Sequence, residues 1–209
     1  MKADETRQRL LEAAAEVFAE LGFRAATVRQ ICARAGVNVA LVKYHFGDKA
    51  ELYAEVLQLL LRDSAVVEVQ QRLDETGQSP EETLREVLRI RLRGILHHQR
   101  SSWHLRLICH EIAQPTPAIA SIYQLMVKPI RERALQLVGS ILGLPPEHEK
   151  TALCVASVAG QAMFYILGST ALARLSSRPP LTVEECDKLA DHIADFSLAY
   201  LNQSRLTEN

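Results

Sequence analysis

An all-α fold is what this 209-residue chain predicts, and three observations carry the prediction. Apolar residues recur at helical spacing through most segments. Two segments open on a capping pair, Thr27 with Gln30 and Asp48 with Glu51, in which a short side chain and an acid or amide three residues on can satisfy one another's backbone N–H groups. Two more open on helix-start runs, Ser79-Pro80-Glu81-Glu82 with its cap, proline and early acids, and Thr182-Val183-Glu184-Glu185. Glycine or proline then closes or interrupts the runs, at Gly22, Gly36, Pro115, Pro117, Gly143 and Pro145-Pro146. The expected architecture is an amino-terminal three-helix helix-turn-helix domain over residues 1–49, followed by a larger helical ligand-binding and dimerisation domain over residues 50–209.

The first helix carries Leu10, Ala14, Val17, Phe18 and Leu21 on one stripe and stops at Gly22. The next run, Thr27 to Lys49, reads as two short helices around a glycine turn. Thr27 caps the first of them, and Val28, Ile31, Cys32 and Ala35 share its inner face. Gly36 stops it, because a residue without a β-carbon tolerates the left-handed conformation of a sharp turn. Asn38 caps the second helix, Val39 to Phe46, which buries Val42 and Phe46, four residues apart, and turns Val39, Ala40 and Lys43 to a different face. That face suits the DNA major groove, where a lysine donates to guanine and small apolar groups meet the thymine methyl. Tyr44, His45 and Lys49 offer donors for phosphate oxygens; packing inside the small domain is an open alternative for Tyr44. Arg34 reads as a solvated charge.

Charge is distributed to match. Residues 22–49 hold Arg24, Arg29, Arg34, Lys43 and Lys49 against Asp48, a net +4 in a chain of net −1, so the remainder carries −5. A local basic patch suffices for phosphate neutralisation, and the near-neutral total does not count against DNA.

Beyond the motif the chain reads as helix throughout. Asp48 opens a long helix with Leu52, Val56, Leu59 and Leu60 on one side; Ser79-Pro80-Glu81-Glu82 opens another, to about Arg100; a short one spans about Trp103 to Ala113. Thr116 is placed to cap a helix from Pro117 to Gly143, kinked at Pro129. Residues 151–173 contain no charged side chain, long enough to raise a transmembrane reading. Gln161, Gly160, Gly168 and several Ser, Thr and Ala residues favour instead a helix buried on nearly every side. After the linker 174–181, Thr182 opens a last helix with Cys186, Leu189, Ala190, Ile193, Phe196 and Tyr200 facing in. One chain of this size buries too little to cover both, so a homodimer through the last two helices is expected.

Other classes fare worse. Met1 to Arg9 is polar and no signal peptide follows, which favours the cytoplasm and no membrane. The cysteines at 32, 109, 154 and 186 lack CxxC spacing and read as buried thiols. His97, His98, His104 and His110 with Glu111 form neither HxxxH nor HExxH, so a metal-binding sensor or enzyme built on the His97–His110 region is the minor alternative. No GxSxG elbow is present, no enzyme is expected, and no cofactor is implied. A purely architectural DNA binder would not need so much acidic helix.

Residues 6–53, through the run TVRQICARAGVNVALVKYHFGDK and the following Leu52-Tyr53, resemble the amino-terminal domain of the TetR family of bacterial transcriptional regulators. Cys32 stands where alanine is common in that family, and Lys43 where tyrosine is common. The resemblance implies that Thr27 and Arg29 approach the backbone and a groove edge, that Val39, Ala40, Leu41 and Lys43 face bases, and that Tyr44, His45 and Lys49 hold phosphates. Residues 103–130, with Asn38 and the YHFG run at 44–47, resemble the subgroup that includes CecR. It further implies pairing through the last two helices and response to a small-molecule effector. For that effector, Trp103, Arg106, Leu107 and His110 share a face with Glu111 adjacent, and Gln161 and Tyr165, four apart, complete a candidate pocket; core packing is the competing reading for each. The function expected is a sequence-specific DNA-binding transcriptional regulator, a ligand-released repressor that binds a palindromic double-stranded operator as a dimer.

Overall fold

The computed structural model of the chain describes residues 2–61, 64–75, 77–97, 103–176 and 181–207. Among them the elements are α1 (Lys2–Ala25), α2 (Val28–Ala35), α3 (Ala40–Phe46), α4 (Lys49–Leu61), α5 (Ser64–Asp74), α6 (Pro80–Leu92), α7 (Trp103–Ala113), α8 (Ile119–Ile122), α9 (Lys128–Leu142), α10 (Glu149–Ser176) and α11 (Val183–Thr207). Two π-helical turns, Arg93–His97 and Tyr123–Val127, follow α6 and α8, and no strand occurs among the described residues. The all-α class therefore holds. The chain divides into two compact units, one of Met1–Asp63 with Arg100–Leu125, the other of Ser64–Gln99 with Met126–Asn209.

In the first unit α1 is the central strut, packed against α2, α4 and α7. Leu10, Ala14, Val17 and Phe18 are buried as the stripe requires, while Leu21 is exposed. The backbone leaves helical geometry at Gly22 (φ 73°, ψ 166°). Phe18, Phe23 and Tyr53 form the aromatic heart of this unit, with Phe18 and Tyr53 edge to face at 4.7 Å between centroids.

The second unit is built around α6, which packs against α5, α9, α10 and α11. Ser79 caps α6 as expected, and Glu82 returns a bond to the Ser79 N–H. The helix expected to run to Arg100 changes to a π turn at Arg93, and residues 98–102 lie outside the described residues. The helix expected from Pro117 to Gly143 is instead α8, a π turn and α9, with Pro129 in the first turn of α9, where its missing N–H costs nothing. Helix α5 is an addition to the sequence-based expectation.

Arg85 and Arg89 of α6 and Arg93 of the π turn after it face Asp195, Asp191 and Asp187 of α11, an antiparallel ladder with one rung per turn. Arg85 reaches Asp195 at 2.6 Å and Asp191 at 3.2 Å, Arg89 grips both oxygens of Asp191 at 3.0 Å, and Arg93 clasps Asp187. The Arg89 guanidinium, against the cost of partial burial and with help from Arg85, holds the Asp191 carboxyl below its ordinary range. A carboxyl with a depressed folded-state pKa stabilises above its unfolded value, near ~3.9, and loses that contribution as pH falls through the folded value. Wild type should therefore outlast Asp191→Asn in urea at pH 6, with the gap closing below about pH 4; a gap unchanged at pH 3 would deny the ladder a charged origin.

Helix α10, which holds the charge-free run 151–173, buries one stripe, Thr151, Cys154, Val158, Ala162 and Ile166. Its opposite side is open in this chain, with Leu153 and Phe164 exposed, so the helix is not buried on nearly every side. Glu149–Gly168 has a mean hydropathy of 1.5 and by length and composition alone matches a membrane span. On α11, Cys186, Ala190 and Ile193 are fully buried as expected, whereas Phe196 and Tyr200 are turned to solvent.

Candidate nucleic-acid interface

The first helix of the motif is bounded by the residues expected, Thr27 and Gly36, whereas α3 starts after Val39, which makes no side-chain cap, with Asn38 one residue further back. Thr27 Oγ1 accepts from Gln30 N at 3.3 Å while Gln30 Oε1 accepts from Thr27 N at 2.9 Å, and Gly36 closes α2 in the left-handed conformation (φ 65°, ψ 40°). Asn38 Oδ1 accepts from Ala40 N at 2.9 Å, which fixes the start of α3. Ile31, Cys32, Ala35, Val42 and Phe46 point into the core. Arg9 of α1 donates to Ala35 O at 2.5 Å, and Arg7, paired with Glu55, lies over the Phe46 ring at 5.0 Å from its centroid. The position of α3 is thus set by cations of α1 as well as by apolar burial.

What remains outside is the surface expected for base readout. Ala40, Lys43 and Tyr44 are exposed on α3 with Val39 just before it, and Thr27, Arg29 and Asn38 are exposed beside them. Tyr44, at 78% exposure, is not packed in the small domain. Leu41 and His45 are half-buried, His45 edge-on to Tyr44 with centroids 4.8 Å apart. Lys49 is the departure. Its ammonium donates to Phe23 O at 2.9 Å and Ala26 O at 3.0 Å and sits 4.5 Å from the Phe23 centroid. Two of its three N–H bonds thus hold the α1–α2 junction to the start of α4, leaving one for a phosphate.

The basic patch is also thinner than its formal charge. Arg34 makes a two-pronged bridge to Glu20 at 2.8 and 2.9 Å with Glu16 at 3.6 Å, and the Arg34 hydrogen bond holds the Glu20 carboxyl below its usual range. It is a paired charge rather than a solvated one. Arg24, Arg29 and Lys43 have no carboxylate partner among the described residues.

The residues expected around an effector fall into different units. Trp103, Arg106, Leu107, His110 and Glu111 belong to the first, Gln161 and Tyr165 to the second. Trp103 stacks on His104 at 3.7 Å and Leu107 is fully buried. Glu111, 3% exposed, accepts from Tyr53 Oη at 2.5 Å and from Thr116 N at 3.2 Å and Oγ1 at 3.0 Å. Burial first and the Glu111 carboxylate second push the Tyr53 hydroxyl far above its ordinary pKa. Thr116 therefore does not cap the following helix; its polar groups turn back to Glu111. The space lined by Gly22, Tyr53, His110, Glu111 and Thr116 measures about 10 Å³, room for a water at most. In the second unit Gln161 donates to Ser197 Oγ at 3.2 Å, and Tyr165 is partly exposed, edge-on to Phe164. For the metal alternative, His98 lies outside the described residues.

Three comparisons bear on this geometry. Residues 10–56 match the family model described as bacterial regulatory proteins of the tetR family, and residues 80–201 match that of the C-terminal domain of the HTH-type transcriptional dual regulator CecR. The dual regulator CecR of Shigella flexneri is 26% identical over 80% of this chain and 78% of its own. The transcriptional activator FasR of Mycolicibacterium smegmatis is 31% identical over 75% of this chain and 68% of its own. The crystal structure of the transcriptional regulator FadR from Bacillus subtilis, in complex with stearoyl-CoA, shares the fold at a TM-score of 0.65 and 14% identity, covering 92% of this chain and 97% of that one. These relatives are transcriptional regulators and not enzymes. With a capped helix-turn-helix at its amino end and the CecR-type helical domain behind it, the chain belongs to the TetR family of DNA-binding transcriptional regulators.

Proposed function

We propose that the protein is a cytoplasmic, effector-released repressor that binds a palindromic operator as a homodimer, with residues 1–49 reading DNA and residues 50–209 carrying effector response and pairing. The observation that carries the reading is the outward side of α3, where Ala40, Lys43 and Tyr44, with Val39 just before them, stand exposed on a helix whose other side is locked into the core. Lys43 and the two small apolar residues read base edges; Thr27, Arg29, Asn38, Tyr44, His45 and the remaining N–H of Lys49 hold backbone, with Leu41 supporting the helix from its half-buried position. Exposed apolar residues at helical spacing on α10, with Phe196 and Tyr200 on α11, support pairing with a second copy. The stearoyl-CoA bound to FadR supports a small-molecule effector here. Binding in the helical domain then alters the spacing of the two recognition helices, a coupling of a few kcal/mol (~1–3).

The test separates two lysines. Lys43→Ala should cost about 1–3 kcal/mol on the palindrome adjoining the protein's own gene and little on random DNA, read by fluorescence anisotropy. Lys49→Met should weaken all duplexes alike and lower the melting temperature as well, since it frees two carbonyls. Equal losses for Lys43→Ala on both DNAs would remove it from base readout. A reporter behind that palindrome should rise when the gene is deleted; a fall would make the protein an activator.

A further inference from the structure

Helix α6 and the π turn that follows it carry four arginines, and three of them are matched. Arg85, Arg89 and Arg93 occupy successive turns on the side that meets the aspartates of α11. Arg91 stands ~200° around the helix from Arg89, at about 100° per residue, on the side of the buried Leu84 and Leu88. Its Nε is sealed from solvent without a hydrogen-bond acceptor, and among the described residues no carboxylate pairs with its guanidinium. Burial lowers its proton affinity from the usual arginine range, yet a guanidinium in a protein keeps its proton. Only Nε is sealed in this way; the residue as a whole is half-buried and keeps part of its accessible surface.

A half-buried cation with a sealed Nε and no counter-ion among the described residues opposes folding. The other three arginines have aspartate partners on α11, and Arg91 has none among the described residues. A free Nε is also one prong of the side-on fork by which arginine grips two oxygens of one acid group. We propose that Arg91 anchors the acidic head of the effector, and that the effector is an organic anion with a carboxylate or phosphate group and an apolar body lying along Leu84 and Leu88. This assignment rests on the effector-responsive reading given above.

The experiment uses the full-length protein with decanoate, decyl phosphate and decanol as probes, read by thermal unfolding and by release of the palindromic DNA. At least one of the two anions should raise the melting temperature and free the DNA, and decanol should do neither; which anion acts distinguishes a carboxylate from a phosphate head. Arg91→Met should melt higher than wild type without additive, and the anion's half-effect concentration should rise by about tenfold or more. Arg91→Lys, which keeps the charge and loses the fork, should fall between. The proposal is overturned if neither anion acts on wild type, if decanol acts equally, or if Arg91→Met keeps the full response or melts lower than wild type. Palindrome binding by wild type and by Arg91→Met, measured without additive, keeps the two conclusions apart: intact binding with no anion response removes only the role of Arg91, whereas no binding by either protein removes the regulator reading itself.

Discussion

The double substitution Phe164→Glu with Phe196→Glu is expected to leave the protein a single chain in sedimentation velocity and to lower its affinity for the palindrome by about a hundredfold or more. Both rings are open to solvent in the lone chain, at 72% and 66% exposure, so replacing them removes little beyond the edge contact of Phe164 with Tyr165. Far-UV circular dichroism and the thermal transition of the isolated chain should consequently persist. In a paired molecule each ring would withdraw ~150–250 Å² from water, at about 25 cal/mol per Å². A carboxylate placed there instead must shed its hydration with no cation to meet it. The loss of DNA affinity follows because one recognition helix at a time lacks the effective concentration that tethering two provides. Tight palindrome binding by a demonstrably single chain would sink the pairing scheme.

Tyr53→Phe should destabilise the fold by about 1.5–3 kcal/mol, the range for a buried hydrogen bond to a charged acceptor. The hydroxyl bridges α4 to Glu111 on α7, in a position sealed by Phe18 and Phe23. Removing it leaves the shape of the core unchanged, so the effect isolates the polar link. Glu111→Ala should cost at least as much, since it orphans the Tyr53 hydroxyl and the Thr116 N–H together. The double variant should cost less than the sum of the singles, because the shared bond can be lost only once. Urea titration gives the three numbers; strict additivity, or a silent Tyr53→Phe, would show that the contact carries no energy.

How much of this was legible in the sequence depended on the range of the interactions. The helix-turn-helix was readable because its determinants are local: the Thr27–Gln30 box, Gly36 and Asn38 act within three residues of themselves, and each does so in the structure. Lys49 was legible as a cation but not as a clamp, because the carbonyls it serves, on Phe23 and Ala26, are more than twenty residues away. Glu111 and Thr116 looked like pocket and cap for the same reason; a tyrosine fifty-eight residues upstream claims the carboxyl. The π turns after α6 and α8 have no periodic signature. The arginine–aspartate ladder did have one, since Arg85, Arg89, Arg93 and Asp187, Asp191, Asp195 each recur every fourth residue. Comparing those two spacings would have paired the helices before any coordinates. Arg91 breaks that period, which is the only trace it leaves in the sequence.

That same regularity has a mechanical consequence. Identical rungs at equal intervals do not specify a unique alignment: if α11 advanced along α6 by one turn, ~5.4 Å, Arg85 would still find Asp191 and Arg89 would find Asp187, with one rung surrendered. The salt-bridged seam therefore behaves like a toothed rail, permissive of discrete steps, and the detent that selects one step must be the close-fitting Cys186, Ala190 and Ile193 beneath it.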